Sequence, residues 1–269
     1  MDNRPVAIFD SGTGSLSIIR SLTKEMPNES IVYLADRAHY PYGKKTKGQL
    51  KSIIIQTLKY LEKFDPKVII VASITPSMQV LRECKLHTNV PVFGVYLNIG
   101  DAVALSKTKV IALLATEGTI ESEVLDDYIK PFITTTKIIK VNASPIIDLV
   151  ESGKFLESDS MVKDAITNNT ASIKSNPKTD VLILGSTHLS LIKDHIASVY
   201  PKVQFVDPAI TTVRQVKAYI QHQDITAQDK GSMKILVSKN KQQFEKIVRA
   251  LGIQDKIEEV ELDFKIDVF

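Results

Sequence analysis

Two runs of the chain, Val68–Val71 (VIIV) and Val181–Leu184 (VLIL), offer no polar residue to either side of a strand. Side chains alternate across a strand, so a run that is apolar at every position must be buried on both faces. That requirement points to parallel sheets with helices covering both sides. Further β-branched runs at Val6–Phe9, Ile31–Ala35, Val92–Val95, Val110–Ala115, Thr136–Val141, Gln204–Val206 and Lys234–Val237 read as strands. Between them lie longer stretches whose apolar residues recur at three- and four-residue spacing. They predict helices over Gly48–Phe64, Ser77–Cys84, Thr119–Tyr128, Ile146–Glu151, Ser160–Ile173, Leu189–Val199, Pro208–His222 and Lys241–Leu251. This alternation is the signature of an α/β fold. So many strands would make one very wide sheet, so two domains are expected, with seams near Asn98 and Asp207.

Composition narrows the classes of function. With 34 Lys+Arg against 31 Asp+Glu, the net charge is only +3, too small an excess to argue for nucleic acid or an anionic membrane. The Lys44, Lys45, Lys47 cluster lacks interleaved aromatics and reads as a solvated loop or helix start. No apolar run reaches the roughly 20 residues of a membrane span, and the N-terminus enters a strand at once, which argues against a signal peptide. Cys84 is the only cysteine, so neither an internal disulfide nor a cysteine metal cluster can form. The five histidines show no metal-ligand spacing. A cytoplasmic protein without a structural metal is the expectation.

The chemistry is expected just beyond the strands, where parallel α/β sheets bind their ligands. Four strand ends are rich in small hydroxyl residues: Asp10-Ser11-Gly12, Ser73 with Thr75 and Ser77, Thr116-Glu117-Gly118-Thr119, and Ser186-Thr187-His188. Singly, each such residue is an ordinary helix N-cap. Four together would make a pocket of neutral donors suited to carboxylates or a small phosphate. "DSGTGS" has neither the Gly-Lys-Ser/Thr ending of a P-loop nor the dinucleotide spacing. His188 reads either as a satisfied structural histidine or as a proton carrier. Asp10, ending the first strand, must be hydrogen-bonded or reactive.

On these motifs the chain resembles the cofactor-independent glutamate racemases of the aspartate/glutamate racemase superfamily. The family's Asp-Ser-Gly-x-Gly-Gly-Leu corresponds to Asp10 through Leu16, with Ser15 replacing a glycine. Its Asp-x-x-x-x-Pro-Tyr-Gly corresponds to Asp36 and Pro41-Tyr42-Gly43, and its Thr-x-Gly-Thr-x-x-Ser to Thr116, Gly118, Thr119 and Ser122. "ASPIIDLVESG", with Glu151, and "FVDPAITTVRQV" also fit, so the resemblance spans essentially the whole chain. It implies two α/β domains with mainly parallel sheets facing each other across a cleft: residues 1–97 plus 207–269, and an inserted 98–206. It further implies that the cleft takes free glutamate. Two cysteines, one on each side of the α-carbon, would remove and return its proton. Members of the family often form dimers, so a homodimer is allowed for.

Both cysteines are absent. The family's Ala-Cys-Asn-Thr stands here as Ala72-Ser73-Ile74-Thr75, its Gly-Cys-Thr-His as Gly185-Ser186-Thr187-His188, and a third cysteine as Ser144. The accompanying differences at Ile74, Pro76 and Ser144 read as divergence rather than a pair of point changes. A thiol with a pKa near 8.5 can be tuned to a thiolate at neutral pH, whereas a serine hydroxyl needs an adjacent base. Ile74 also removes an amide that would hydrogen-bond the ligand. The implied catalytic set is therefore Ser73, Ser186, Asp10 and His188. The implied binding set is Ser11, Pro41, Tyr42, Gly43, Ile74, Thr75, Thr116, Thr119 and Thr187. Three readings compete: a binder of a small acidic amino acid or dicarboxylate with two-thiol racemisation lost or very weak, an isomerase using Ser, His or Asp bases, and a serine hydrolase using Ser186 and His188. The last lacks the Gly-x-Ser-x-Gly nucleophile elbow.

Overall fold

The computed structural model describes residues 2–264. Among them, ten strands run in chain order: β1 (Val6–Asp10), β2 (Ile31–Ala35), β3 (Val68–Val71), β4 (Val92–Gly94), β5 (Val110–Ala115), β6 (Lys137–Asn142), β7 (Val181–Gly185), β8 (Gln204–Val206), β9 (Met233–Val237) and β10 (Ile257–Glu259). They form two sheets, ordered β10-β9-β2-β1-β3-β4 and β6-β5-β7-β8, and every pairing is parallel. The chain divides into two units, Met1–Val95 with Ala209–Phe269, and Tyr96–Pro208. The divisions fall at 95/96 and 208/209, where the sequence suggested 97/98 and 206/207.

The two apolar runs are the inner strands β3 and β7, and every residue of Val68–Val71 and Val181–Leu184 is fully buried. Full burial of a Val, Leu or Ile side chain contributes roughly 1.5–3 kcal/mol, so these strands anchor their sheets. Helices supply the other layers. Leu16–Glu25 buries Leu16, Ile18, Ile19 and Leu22, the three- and four-residue spacing of one helical face. Lys47–Glu62 opens on a capping box in which Thr46 and Gln49 satisfy each other's backbone N–H.

Several helices are shorter than the periodicity predicts. The expected Ser77–Cys84 helix is two, Ile74–Gln79 and Leu81–Cys84, and Leu189–Val199 is split into Thr187–Leu191 and Lys193–Val199. In both cases the first turn begins directly after a strand-end serine. β10 was not anticipated: its sequence, Ile257-Glu258-Glu259, has the polar character of an edge strand.

At the amino-terminal side of β3, a fully buried ion pair joins Lys67 Nζ to Glu29 Oε2 at 2.5 Å. The ammonium also donates to the carbonyls of Asp2 and Ile225, and Glu29 Oε1 accepts from the Ala227 N–H. A buried charge is tolerable only with such a set of partners. Here they tie β3 to the chain's N-terminal segment and to the segment after the helix Pro208–His222.

Candidate functional site

Both sheets share one internal order, with the second strand on one side of the first and the third and fourth on the other. The chain therefore changes direction between β1 and β3 in the first unit, and between β5 and β7 in the second. Such switch points open a crevice at the carboxyl ends of the strands. In the first unit Phe9 pairs with Val71, and the Ala72 N–H donates to the Phe9 carbonyl, so the loops carrying Asp10 and Ser73 leave the sheet side by side. In the second unit Ala115 pairs with Gly185, so Thr116 and Ser186 are the next residues out. Gly185 is required there, since a Cβ would lie 2.6 Å from the Leu114 carbonyl oxygen.

The first unit's residues form a buried network. The Ser11 N–H donates to Asp10 Oδ1 at 2.7 Å, and the Ser11 hydroxyl accepts from the Tyr42 N–H at 3.4 Å. Tyr42 donates its phenol to Asp36 Oδ2 at 2.8 Å, and His39 Nδ1 lies 2.7 Å from Asp36 Oδ1. Arg37 donates to the Ser11 carbonyl at 3.0 Å and lies over the Tyr40 ring. Burial first, then the charges of Asp36 and Asp10, push the Tyr42 phenol well above its usual range. Tyr42 is thus a fixed donor, not a base. Ser73, Thr75 and Pro41 are half-buried, Ile74 is buried and Gly43 is exposed. Ser73 sits at the helix-cap position without capping, and its carbonyl accepts the Ser77 hydroxyl at 2.6 Å.

The second unit gathers Ser186, Thr187 and His188, all buried. The Ser186 hydroxyl accepts the His188 N–H, as a cap does, and lies 3.2 Å from His188 Nδ1. On the far side of the ring, Nε2 lies 2.8 Å from Glu151 Oε2. With the Nε2 proton toward the carboxylate, Nδ1 can accept the serine proton. Thr116 and Thr119 pair through their hydroxyls at 2.8 Å, while the Ser144 hydroxyl accepts the Glu117 N–H.

Glu151, Asp36 and His39 were not singled out as site residues. Glu151 carried a usable signal, because it is the one acidic residue on the buried face of the apolar helix Ser144–Glu151. Among the described residues there is no group of three or more His, Cys, Asp or Glu able to hold a metal ion, and no helix long and apolar enough to cross a membrane.

Two parallel sheets with hydroxyls and carboxylates at their switch points define an α/β protein of the class whose ligand sites lie at strand ends. Residues 14–216 match the family described as Asp/Glu/Hydantoin racemase, and the chain belongs to that family. It is 32% identical over 218 residues to a glutamate racemase of Limosilactobacillus reuteri (strain DSM 20016), covering 81% of this chain and 80% of the relative. Its fold is similar to that of a glutamate racemase from Francisella tularensis solved with D-glutamate, at 26% identity and TM-score 0.81, covering 98% and 99% of the two chains. A Bacillus anthracis glutamate racemase isoform, 24% identical, shares the fold at TM-score 0.85 over 98% of this chain and 100% of that one.

Proposed function

We propose that this glutamate-racemase-like protein binds a small acidic amino acid or dicarboxylate at its strand ends. Asp10, Ser11, Pro41–Gly43 and Thr75 serve from the first unit; Thr116, Thr119 and Thr187 serve from the second. Family membership and the D-glutamate carried by the Francisella tularensis relative support this reading. The observation that carries it is the clustering of donors and carboxylates at the two switch points. Racemisation by two thiols is lost or very weak, because Ser73 and Ser186 stand where the resemblance expects cysteines. No cofactor is needed, and a homodimer is an open outcome of sizing experiments.

A second reading draws support from the Ser186–His188–Glu151 chain of hydrogen bonds. The carboxylate holds the imidazole in place with Nδ1 toward Ser186, so that the ring can take an α-proton directly or through the serine hydroxyl. The protein would then be an isomerase working with Ser, His or Asp bases. A hydrolase built on the same pair has less support, since Ser186 has ordinary extended angles (φ −151°, ψ 139°) rather than a strained elbow.

One experiment separates these readings. The protein is incubated with L- and D-glutamate and L- and D-aspartate in heavy water, and α-deuteration is followed beside a thermal-shift titration. Binding without exchange supports the first reading, and exchange supports the second. A ligand at 100 times its dissociation constant adds about 2.7 kcal/mol of stability. No shift and no exchange with any of the four would sink both.

A further inference from the structure

β10 runs parallel to β9, so the chain that leaves it emerges at the same carboxyl edge as Asp36 and Ser238. The Val260 N–H extends the ladder to the Val237 carbonyl, and Val260 and Leu262 pack on the core of the first unit. Two residues further, the Phe264 ring stacks on His39 at 5.3 Å between centroids and 4° between planes. His39 is held by both oxygens of Asp36, at 2.7 and 2.9 Å, and the second of these oxygens also accepts the Tyr42 phenol. Asp36 is fully buried, and the Ser238 hydroxyl is its remaining donor.

We propose that Phe264 is a positioning residue for the Pro41–Tyr42–Gly43 segment. Its role is exerted through His39. It fixes the plane of the His39 ring, which fixes the Asp36 carboxylate, which holds the Tyr42 phenol and with it the backbone N–H directed at Ser11. An imidazole bonded at one nitrogen can still pivot about that bond, and a coplanar aromatic face removes this freedom. The C-terminal segment thereby becomes part of the candidate site without lining it. This inference rests on the reading of Pro41–Gly43 as a ligand-binding segment.

The test compares Phe264→Ala, Phe264→Tyr and Leu262→Ala, the last loosening the same segment without touching the stack. Dissociation constants are measured by calorimetry for whichever of L-glutamate, D-glutamate and L-aspartate the unmodified protein binds. Phe264→Ala should weaken binding about three- to tenfold, the loss expected of one aromatic pair. Phe264→Tyr should restore it, and Leu262→Ala should lower the melting temperature with binding held within about twofold. Unchanged binding in Phe264→Ala, or equal weakening in Leu262→Ala, overturns the proposal. A protein that binds none of the three overturns the ligand reading instead, and the stack is then judged without ligand. The chain has no tryptophan, so Phe264→Trp introduces a single tryptophan against His39, excited at wavelengths that tyrosine does not absorb. Its emission should rise when His39→Gln or Asp36→Asn is added. Emission indifferent to both changes means that the segment does not report on the Asp36 network, and the proposal fails.

Discussion

The two units repeat one strand order, β2-β1-β3-β4 and β6-β5-β7-β8, yet they furnish their switch points unequally. Ser186 is buried and its hydroxyl is wired to an imidazole, itself backed by a carboxylate. Ser73 is half-buried, and its helix continues into the apolar Ile74. The first unit concentrates its charge elsewhere, in the Asp10–Ser11–Tyr42–Asp36 network. A duplicated architecture therefore carries a base-like arrangement in one copy and a positioning network in the other. If this asymmetry governs chemistry, the second unit offers a proton acceptor and the first a fixed set of donors.

The largest effect should come from making the two ends alike. Ser73→Cys with Ser186→Cys and Ile74→Asn supplies thiols whose pKa is within reach of neutral pH, together with an amide for the ligand. A positioned acid–base group contributes on the order of 10²–10⁴-fold, so α-deuteration of glutamate should rise by that order. No gain would mean that these strand ends have been rebuilt for another ligand, and glutamate should be abandoned as the substrate.

Restoring one cysteine at a time sharpens the contrast. Each single variant should exchange one enantiomer in preference to the other, because each base serves one face. Ser186→Cys should be the faster by about tenfold, a difference of only 1.4 kcal/mol in barrier, since His188 and Glu151 already stand beside it. Adding Glu151→Gln should erase that advantage. Equal rates from the two single variants would show that the His188–Glu151 pair has no part in proton transfer.

A smaller effect separates the networks by stability. Tyr42→Phe removes a buried donor from Asp36 and should destabilise the protein by about 1–3 kcal/mol, read by denaturant unfolding. Thr116→Val breaks a half-buried hydroxyl pair that solvent can partly replace, and should cost less than about 0.5 kcal/mol. A larger loss at Thr116 than at Tyr42 would show that the first unit's network is not the more tightly held of the two.

Much of this was legible in the sequence because burial leaves a strong pattern. The runs at Val68 and Val181 could be little other than two-sided buried strands, and the hydroxyls after them had to fall at carboxyl ends. The relay behind Ser186 was only half visible. His188 is two residues away in sequence, but Glu151 reaches it from a helix 37 positions earlier, a contact that only the packing of that helix on Thr187–Leu191 creates. The Phe264 stack was hidden for a related reason: β10 is too short and polar to announce itself, and without it nothing carries the chain back to Asp36. Helix lengths were overestimated for want of a signal that the chain would break after a single turn at each serine.

The smallest expected effect concerns the one thiol the chain retains. Cys84 lies in the first unit, whose Ser73 hydroxyl has no imidazole hydrogen-bonded to it as Ser186 has, so a catalytic role for Cys84 would dissolve the asymmetry. Its setting argues against that. The side chain is fully buried, and burial pushes its pKa up to about 11. At pH 8 roughly one molecule in a thousand would carry the thiolate. Native protein should therefore resist iodoacetamide at pH 8 and become labelled once unfolded, as mass spectrometry would show. Because the folded-state value lies above the unfolded one, the thiol's contribution to stability is present below about pH 9 and is lost as pH rises toward 11. Cys84→Ser should leave α-proton exchange unchanged at neutral pH. If exchange disappears in that variant while the fold persists, Cys84 supplies the base that Ser73 lacks, and the two switch points are chemically closer than their hydrogen bonds suggest.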